Sequence, residues 1–152
     1  VVDPQFDKEH QIRRLSLDEL IAQSDVISLH APLNESTRGM VNRGFLAKMR
    51  PGSWLINTAR GGLVVEADLR DSLLSGHIAG AGLDVLNHEP PEPGNPLLGL
   101  PNVVLSPHIA GTDVQSMSDM AELAARTIVD LYNHRWPAAC VVNSEIQQGW
   151  RW

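Results

Sequence analysis

The chain has 152 residues, 43% hydrophobic and 20% charged, the size of about one domain and the composition of a folded globular protein rather than a disordered one. A net charge of −6 with no basic run argues against nucleic acid or an anionic membrane as partner, and the apolar stretches are too short and too broken for a transmembrane helix. The one cysteine, Cys140, excludes an internal disulfide and any C-x-x-C metal spacing, and points to a reducing, cytoplasmic setting.

Val1-Val2-Asp3-Pro4 reads as the end of a strand entering a turn. With valine at position 1 and no secretory pattern after it, the sequence reads as a piece of a longer polypeptide. Ser16-Leu17-Asp18-Glu19 is a capping box, and Leu17, Leu20 and Ile21 give the helix behind it one apolar face. Val26-Ile27-Ser28-Leu29-His30 has the pattern of a buried strand. Asn42 is placed to cap a short helix with Phe45, Leu46 and Met49 inward, stopped by Pro51-Gly52. Residues 53–58 make a second strand. Val65, Leu69 and Leu73 mark a helix that Gly76 ends.

The next strand, residues 78–85, is glycine-rich and so closely approached by a neighbour. Between Glu89 and Pro96 four prolines exclude helix and make a stiff surface loop. Asn102-Val103-Val104-Leu105-Ser106 is a fourth strand. The longest helix follows Gly111, with Thr112-Asp113-Val114-Gln115 read as its capping box. Val114, Met117, Ala121, Ala124, Ile128 and Leu131 recur at helical spacing, and Met117 and Met120 read as ordinary helix packing. From Pro137 the chain is a less regular tail ending in Trp150 and Trp152.

Strands alternating with helices through short connections specify βαβ units. The expected fold is α/β: a doubly wound parallel sheet, Rossmann-like, with helices on both faces and incomplete at its N-terminus. The expected division is this α/β domain over residues 1–134 and a tail over residues 135–152.

Ligands of open parallel sheets bind beyond the carboxyl ends of the strands. There the sequence places Asp3, His30, Arg60 with two glycines, Asp84, Glu89, and His108 with Gly111. A glutamate beside a histidine fixes one tautomer and favours the protonated imidazole, which suits a general acid/base. An arginine fork binds a carboxylate. An aspartate at an early strand end suits a ribose diol. The set reads as a dinucleotide enzyme acting on an acid that carries a hydroxyl or keto group.

The stretches Ser24 to Leu33 (SDVISLHAPL), Ile56 to Gly62 (INTARGG), Gly82-Leu83-Asp84-Val85, Glu89-Pro90-Pro91 and Ser106-Pro107-His108-Ile109-Ala110-Gly111 stand in the order and at the spacings of a known family. Over roughly residues 1–135 the chain resembles the D-isomer-specific 2-hydroxyacid dehydrogenases, including the phosphoglycerate dehydrogenases. The resemblance implies an NAD-dependent oxidoreductase for a small 2-hydroxy or 2-keto acid, a homodimer in the full-length protein. It implies that Arg60 binds the substrate carboxylate, that His108 gives or takes the hydroxyl proton, and that Glu89 pairs with His108 and raises its pKa. It further implies that Asp3 takes the adenosine ribose hydroxyls and that Pro32 lines the adenine side. Asp84 would hold the nicotinamide carboxamide, and Thr58 and Gly111 would pack near the nicotinamide end. An acid at position 3 also favours NAD over a cofactor with a 2′-phosphate. No metal is implied.

One departure is large. No G-x-G-x-x-G precedes Asp3, so the cradle for a pyrophosphate is absent from this sequence. The 152 residues alone are therefore expected to bind NAD poorly and to turn over nothing. Two other readings stand beside the enzyme: an NAD-sensing regulatory module of the same fold, and a non-functional remnant. Among the other side chains, His30 reads as satisfying backbone groups at a strand end, and His88 as pointing away from the site. His10, His77 and His134 read as surface residues, and Cys140 as inert.

Overall fold

Residues 13–150 are described by the structure, a computed structural model. The chain falls into two units, Val1–Ala110 and Gly111–Trp152, each described by itself.

In the first unit, helix α1 (Leu17–Gln23) starts at the expected capping box. The Ser16 hydroxyl accepts the Glu19 amide at 3.3 Å, and the Glu19 carboxylate takes the Ser16 amide at 2.9 Å. Strand β1 (Val26–Leu29) follows. The Asn42 side chain accepts from the Gly44 and Phe45 amides to open α2 (Arg43–Lys48). Strand β2 (Ser53–Asn57) leads through a 3-10 turn, Gly61–Leu63, to α3 (Glu66–Leu74). No side chain caps α3; Glu66 and Asp68 in its first turn oppose the helix dipole instead. Gly76, at φ 75°, takes the left-handed turn beyond its end, which a side chain would resist. Strands β3 (Ile78–Leu83) and β4 (Val103–Leu105) complete the sheet.

The strand order is β1-β2-β3-β4, all parallel. Register assigns the two faces. Ile27, Leu55, Ala81 and Val103 align across one face, and Leu29, Asn57, Leu83 and Leu105 across the same face. Most of this face is buried in one core with Ile21 of α1, Phe45 and Leu46 of α2, and Leu69 and Leu73 of α3. Each fully buried leucine there contributes about 2 kcal/mol of transfer free energy. The opposite face carries Val26, Trp54, Ile56 and Val104, with Gly80 and Gly82 between them. Val26, Trp54 and Val104 are 57%, 43% and 69% exposed. Among the described residues only one helical layer therefore covers the sheet, and the second layer of a doubly wound fold is not among residues 13–110. The Trp54 ring lies over Gly80, where a Cβ would come within 2.3 Å of it. That contact is the close approach expected of the glycine-rich strand.

The second unit holds α4 (Val114–Tyr132). Its cap corrects the sequence reading. Asp113, not Thr112, is the N-cap, and its carboxylate accepts the Gln115 and Ser116 amides at 3.0 and 3.1 Å. An aspartate next to the helix start reaches these amides directly, so the cap shifts by one residue and is a simple aspartate cap rather than a capping box. Met117 and Met120, read from the sequence as ordinary helix packing, are 51% and 55% exposed. His134 and Trp136 meet Trp150 edge-on in the tail, at ring-centre distances of 6.4 and 5.9 Å. Among the described residues no helix is long and apolar enough to cross a membrane.

Candidate active site

The site is built from the turns that leave β1, β2 and β3 at their carboxyl ends, together with the turn after β4. The turn after β2 is organised by Asn57, which is buried at the strand end. Its amide uses both functions. Oδ1 accepts the Ala59 N–H at 3.0 Å, and Nδ2 donates to the Arg60 carbonyl at 3.0 Å. The backbone of residues 58–60 is thus folded around one side chain. Gly61 then presses on the next turn: a Cβ there would fall 2.0 Å from the Leu86 carbonyl carbon and oxygen. Only glycine permits that contact, which brings the Arg60 turn against the segment leading to Glu89. The Arg60 guanidinium makes one bond within the protein, to the Ala59 carbonyl at 2.6 Å. Among the described residues it meets no carboxylate.

Asp84 organises the turn after β4. One of its oxygens accepts the Ser106 hydroxyl at 2.6 Å and the Ile109 amide at 2.9 Å, and the other accepts the Ala110 amide at 2.9 Å. The Asp84 carbonyl takes the His108 amide at 2.9 Å. These bonds hold His108 at φ 57°, a left-handed conformation that costs a non-glycine residue about 1–3 kcal/mol. The Ser106 hydroxyl first, then the Ala110 and Ile109 amides, keep the Asp84 pKa below the ordinary aspartate value.

The imidazole is held as firmly as its backbone. His108 Nδ1 lies 2.7 Å from Glu89 Oε2, while Glu89 Oε1 accepts the Leu86 amide at 2.9 Å. The hydrogen bond from His108, followed by that from Leu86, lowers the Glu89 pKa. Glu89 is therefore ionised over the neutral range. The segment carrying it is tied to α3, because the Glu66 carboxylate accepts the Asn87 amide and the Asn95 side chain, each at 2.7 Å. With Nδ1 engaged, Nε2 is the ring atom left to exchange a proton.

Arg60, Glu89 and His108 line one cavity of about 290 Å³. A neighbouring cavity of about 690 Å³ shares Arg60 and Leu33 with it and runs past Pro32 to His30. A third, of about 440 Å³, shares Leu86, Glu89 and His108 and reaches Asp84, Leu105 and Pro107. The three follow the carboxyl edge of the sheet and share walls, which suits an extended ligand such as a dinucleotide. Asp84 fits a carboxamide at one end, since its second oxygen has a single donor and keeps acceptor capacity.

The structure thus brings Arg60, Glu89, His108 and Asp84 together, with Pro32 in the adjoining cavity. Thr58 is exposed just past β2. Asp3 and His10 lie outside the described residues, and Gly111 opens the second unit. Two histidines differ from expectation. His30 pairs with a side chain, the Ser28 hydroxyl at 2.9 Å, because residue 28 sits on the same open face one step back. His77 is half-buried rather than on the surface, at 3.1 Å from the Leu46 carbonyl that ends α2. Asn57, Ser106 and Arg38 also belong to the site or its support and were not singled out from the sequence. Asn57 carried one signal: a lone amide at the end of an otherwise apolar strand.

Residues 1–110 match the family model described as D-isomer specific 2-hydroxyacid dehydrogenase, NAD binding domain. The chain belongs to this family. It is 44% identical over 126 residues to a hydroxypyruvate reductase of Blautia hydrogenotrophica, an alignment covering 83% of this chain and 39% of the relative. A protein of Thermus thermophilus of known crystal structure superposes with a TM-score of 0.81 at 42% identity, over 88% of this chain and 42% of the other. A D-isomer specific 2-hydroxyacid dehydrogenase of Lactobacillus delbrueckii, solved in complex with NAD, superposes with a TM-score of 0.83 at 30% identity, over 92% of this chain and 47% of the other. The chain therefore spans less than half the length of these relatives. Family membership fixes NAD as the cofactor type and the parallel sheet as its binding fold.

Proposed function

We propose that this chain forms the cofactor-side half of the active site of an NAD-dependent dehydrogenase acting on a small 2-hydroxy or 2-keto acid. The observation that carries the reading is the His108–Glu89 contact of 2.7 Å on the wall of the cavity that Arg60 also lines. NAD(H), when bound, supplies or takes the hydride. Arg60, which meets no carboxylate among the described residues, offers its fork to the acid's carboxylate. His108 Nε2 gives its proton to the keto oxygen during reduction and takes it back during oxidation. Glu89 stabilises the imidazolium between those events. Asp84 holds the His108 turn and offers its second oxygen to the carboxamide. In this reading Pro32 and Thr58 flank the cofactor and Asp3 takes its ribose hydroxyls.

The test is steady-state reduction of a panel of 2-keto acids with NADH by the full-length protein. His108→Ala lowers turnover by ~10²–10⁴-fold with little change in KM. Arg60→Lys mainly raises KM, since an ammonium cannot make the fork. Small and equal effects from the two substitutions overturn the assignment. For the 152 residues alone, calorimetric titration with NADH is expected to show weak binding, because the sequence holds no Gly-rich turn for the pyrophosphate. Stoichiometric sub-millimolar binding overturns that expectation.

A further inference from the structure

The cavity that holds Arg60 and His108 has a second guanidinium on its wall. Arg38, on the loop between β1 and α2, lines it together with Leu33 and Gly62. The wall is tight there: a Cβ on Gly62 would meet Leu33 at 2.9 Å and Arg38 Nη1 at 3.4 Å. The glycine thus leaves the room in which the Arg38 head lies close to the Arg60 turn. Arg38 is otherwise exposed, and among the described residues its side chain has no hydrogen bond or ion pair. Arg60 has only the Ala59 carbonyl. Two guanidinium groups that meet no carboxylate among the described residues thus line one cavity of about 290 Å³, in a protein with a net charge of −6. Elsewhere on the same unit arginines are paired: Arg43 with Asp68 and Asp71, and Arg50 with Asp25.

Charge arithmetic gives the ligand class. The Glu89 carboxylate is engaged by His108 Nδ1 and the Leu86 amide, one on each oxygen. The cavity then presents two guanidinium groups that meet no carboxylate among the described residues, and their best complement is a dianion. One carboxylate on Arg60 beside the reacting carbon uses only one of them. We infer that Arg38 is a second anion anchor, and that the site prefers 2-keto and 2-hydroxy acids bearing a second negative group, a distal carboxylate or phosphomonoester, over simple monocarboxylic ones. This rests on the function proposed above and deepens it by naming the substrate class. Nothing in the hydride or proton transfer changes. Arg38 binds the far end of the acid, and it acts on affinity and selectivity rather than on the chemical step.

The experiment measures KM and kcat of the full-length protein, with NADH saturating, for three kinds of acid. These are a monocarboxylic 2-keto acid, 2-keto dicarboxylic acids of increasing chain length, and a phosphorylated 2-keto acid. Binding of each acid to the protein–NAD complex is followed in parallel by calorimetry. Arg38→Ala is expected to raise KM and Kd about tenfold for the preferred dianion and less than twofold for the monocarboxylic acid, with kcat unchanged. Arg38→Lys restores part of the difference, and Arg38→Glu reverses the preference. The preference weakens as salt is raised. Whether the dicarboxylic or the phosphorylated acid shows the larger change identifies the second anion. Arg38 is exposed, so these variants fold.

Equal effects on mono- and dianionic acids, or none on either, overturn the inference. Arg60→Ala separates the two levels. If it abolishes binding of the monocarboxylic acid while Arg38→Ala fails to discriminate, the second anchor is wrong and the proposed function stands. If Arg60→Ala leaves that binding intact, the proposed function falls and the anchor with it.

Discussion

The two turns that carry the site are held in different ways. The turn after β2 is fixed through its backbone: Asn57 clamps residues 59 and 60, Gly61 abuts Leu86, and among the described residues the Arg60 head bonds only the Ala59 carbonyl. The turn after β4 is fixed through backbone and side chain alike. Asp84 takes the amides around His108, and Glu89 takes the imidazole. The difference matches the tasks. A group that must close on an arriving carboxylate gains from a mobile head on a rigid base. A group that must deliver a proton along one line gains from being aligned before the ligand comes.

This contrast can be broken at its joint or sharpened one side at a time. Gly61→Ala attacks the joint, since the added methyl meets the Leu86 backbone and separates the two turns. It is expected to destabilise by about 3 kcal/mol, read as a shift in urea midpoint, and to impair both acid binding and proton transfer. Asn57→Ala loosens the first turn alone. With two buried backbone partners left unsatisfied it costs about 2 kcal/mol, and KM for the acid rises while the pH profile keeps its shape. Unchanged stability in this variant contradicts the clamp. Glu89→Gln loosens the second turn alone. Turnover falls about tenfold, because a neutral amide is a weaker acceptor for His108 Nδ1 than a carboxylate; KM for the acid stays put.

The smallest effect is on acid stability. Asp84 and Glu89 both have lowered pKa values in the folded protein. Their contribution is therefore complete above the ordinary carboxylate pKa of ~4 and is lost as pH falls through the lowered values. Melting temperature followed from pH 6 down to pH 2 is expected to drop in that window. Glu89→Gln flattens part of the drop. A curve identical to that of the unsubstituted protein means that the His108 contact contributes nothing to folding.

Much of this was legible in the residues. Strand positions followed from β-branched runs, and the Ser16 and Asn42 caps from local hydrogen-bonding chemistry alone. Arg60, Glu89 and His108 were found because a parallel sheet collects what lies just past each strand. What escaped depended on contacts distant in sequence. Gly61 looks like any turn glycine until Leu86 is packed on it. The bonds that Asp84 accepts from Ser106, Ile109 and Ala110 reach more than twenty positions along the chain. Arg38 is one arginine in a polar loop, and only the fold sets it beside Arg60. Thr112 and Asp113 are both good caps, and a one-residue shift between them is decided by backbone geometry. The spacing of Met117 and Met120 shows which side of α4 is apolar, but spacing alone says nothing of what lies against it.

The left-handed backbone at His108 narrows what can ever occupy that position. Glycine, asparagine, aspartate and histidine tolerate such a conformation best, whereas branched or bulky residues do not. Of these four only aspartate and histidine exchange protons, and an aspartate would face the Glu89 carboxylate as a like charge. Backbone shape and chemistry thus select the same side chain independently, so neutral drift at this position has almost nowhere to go while Asp84 and Glu89 remain.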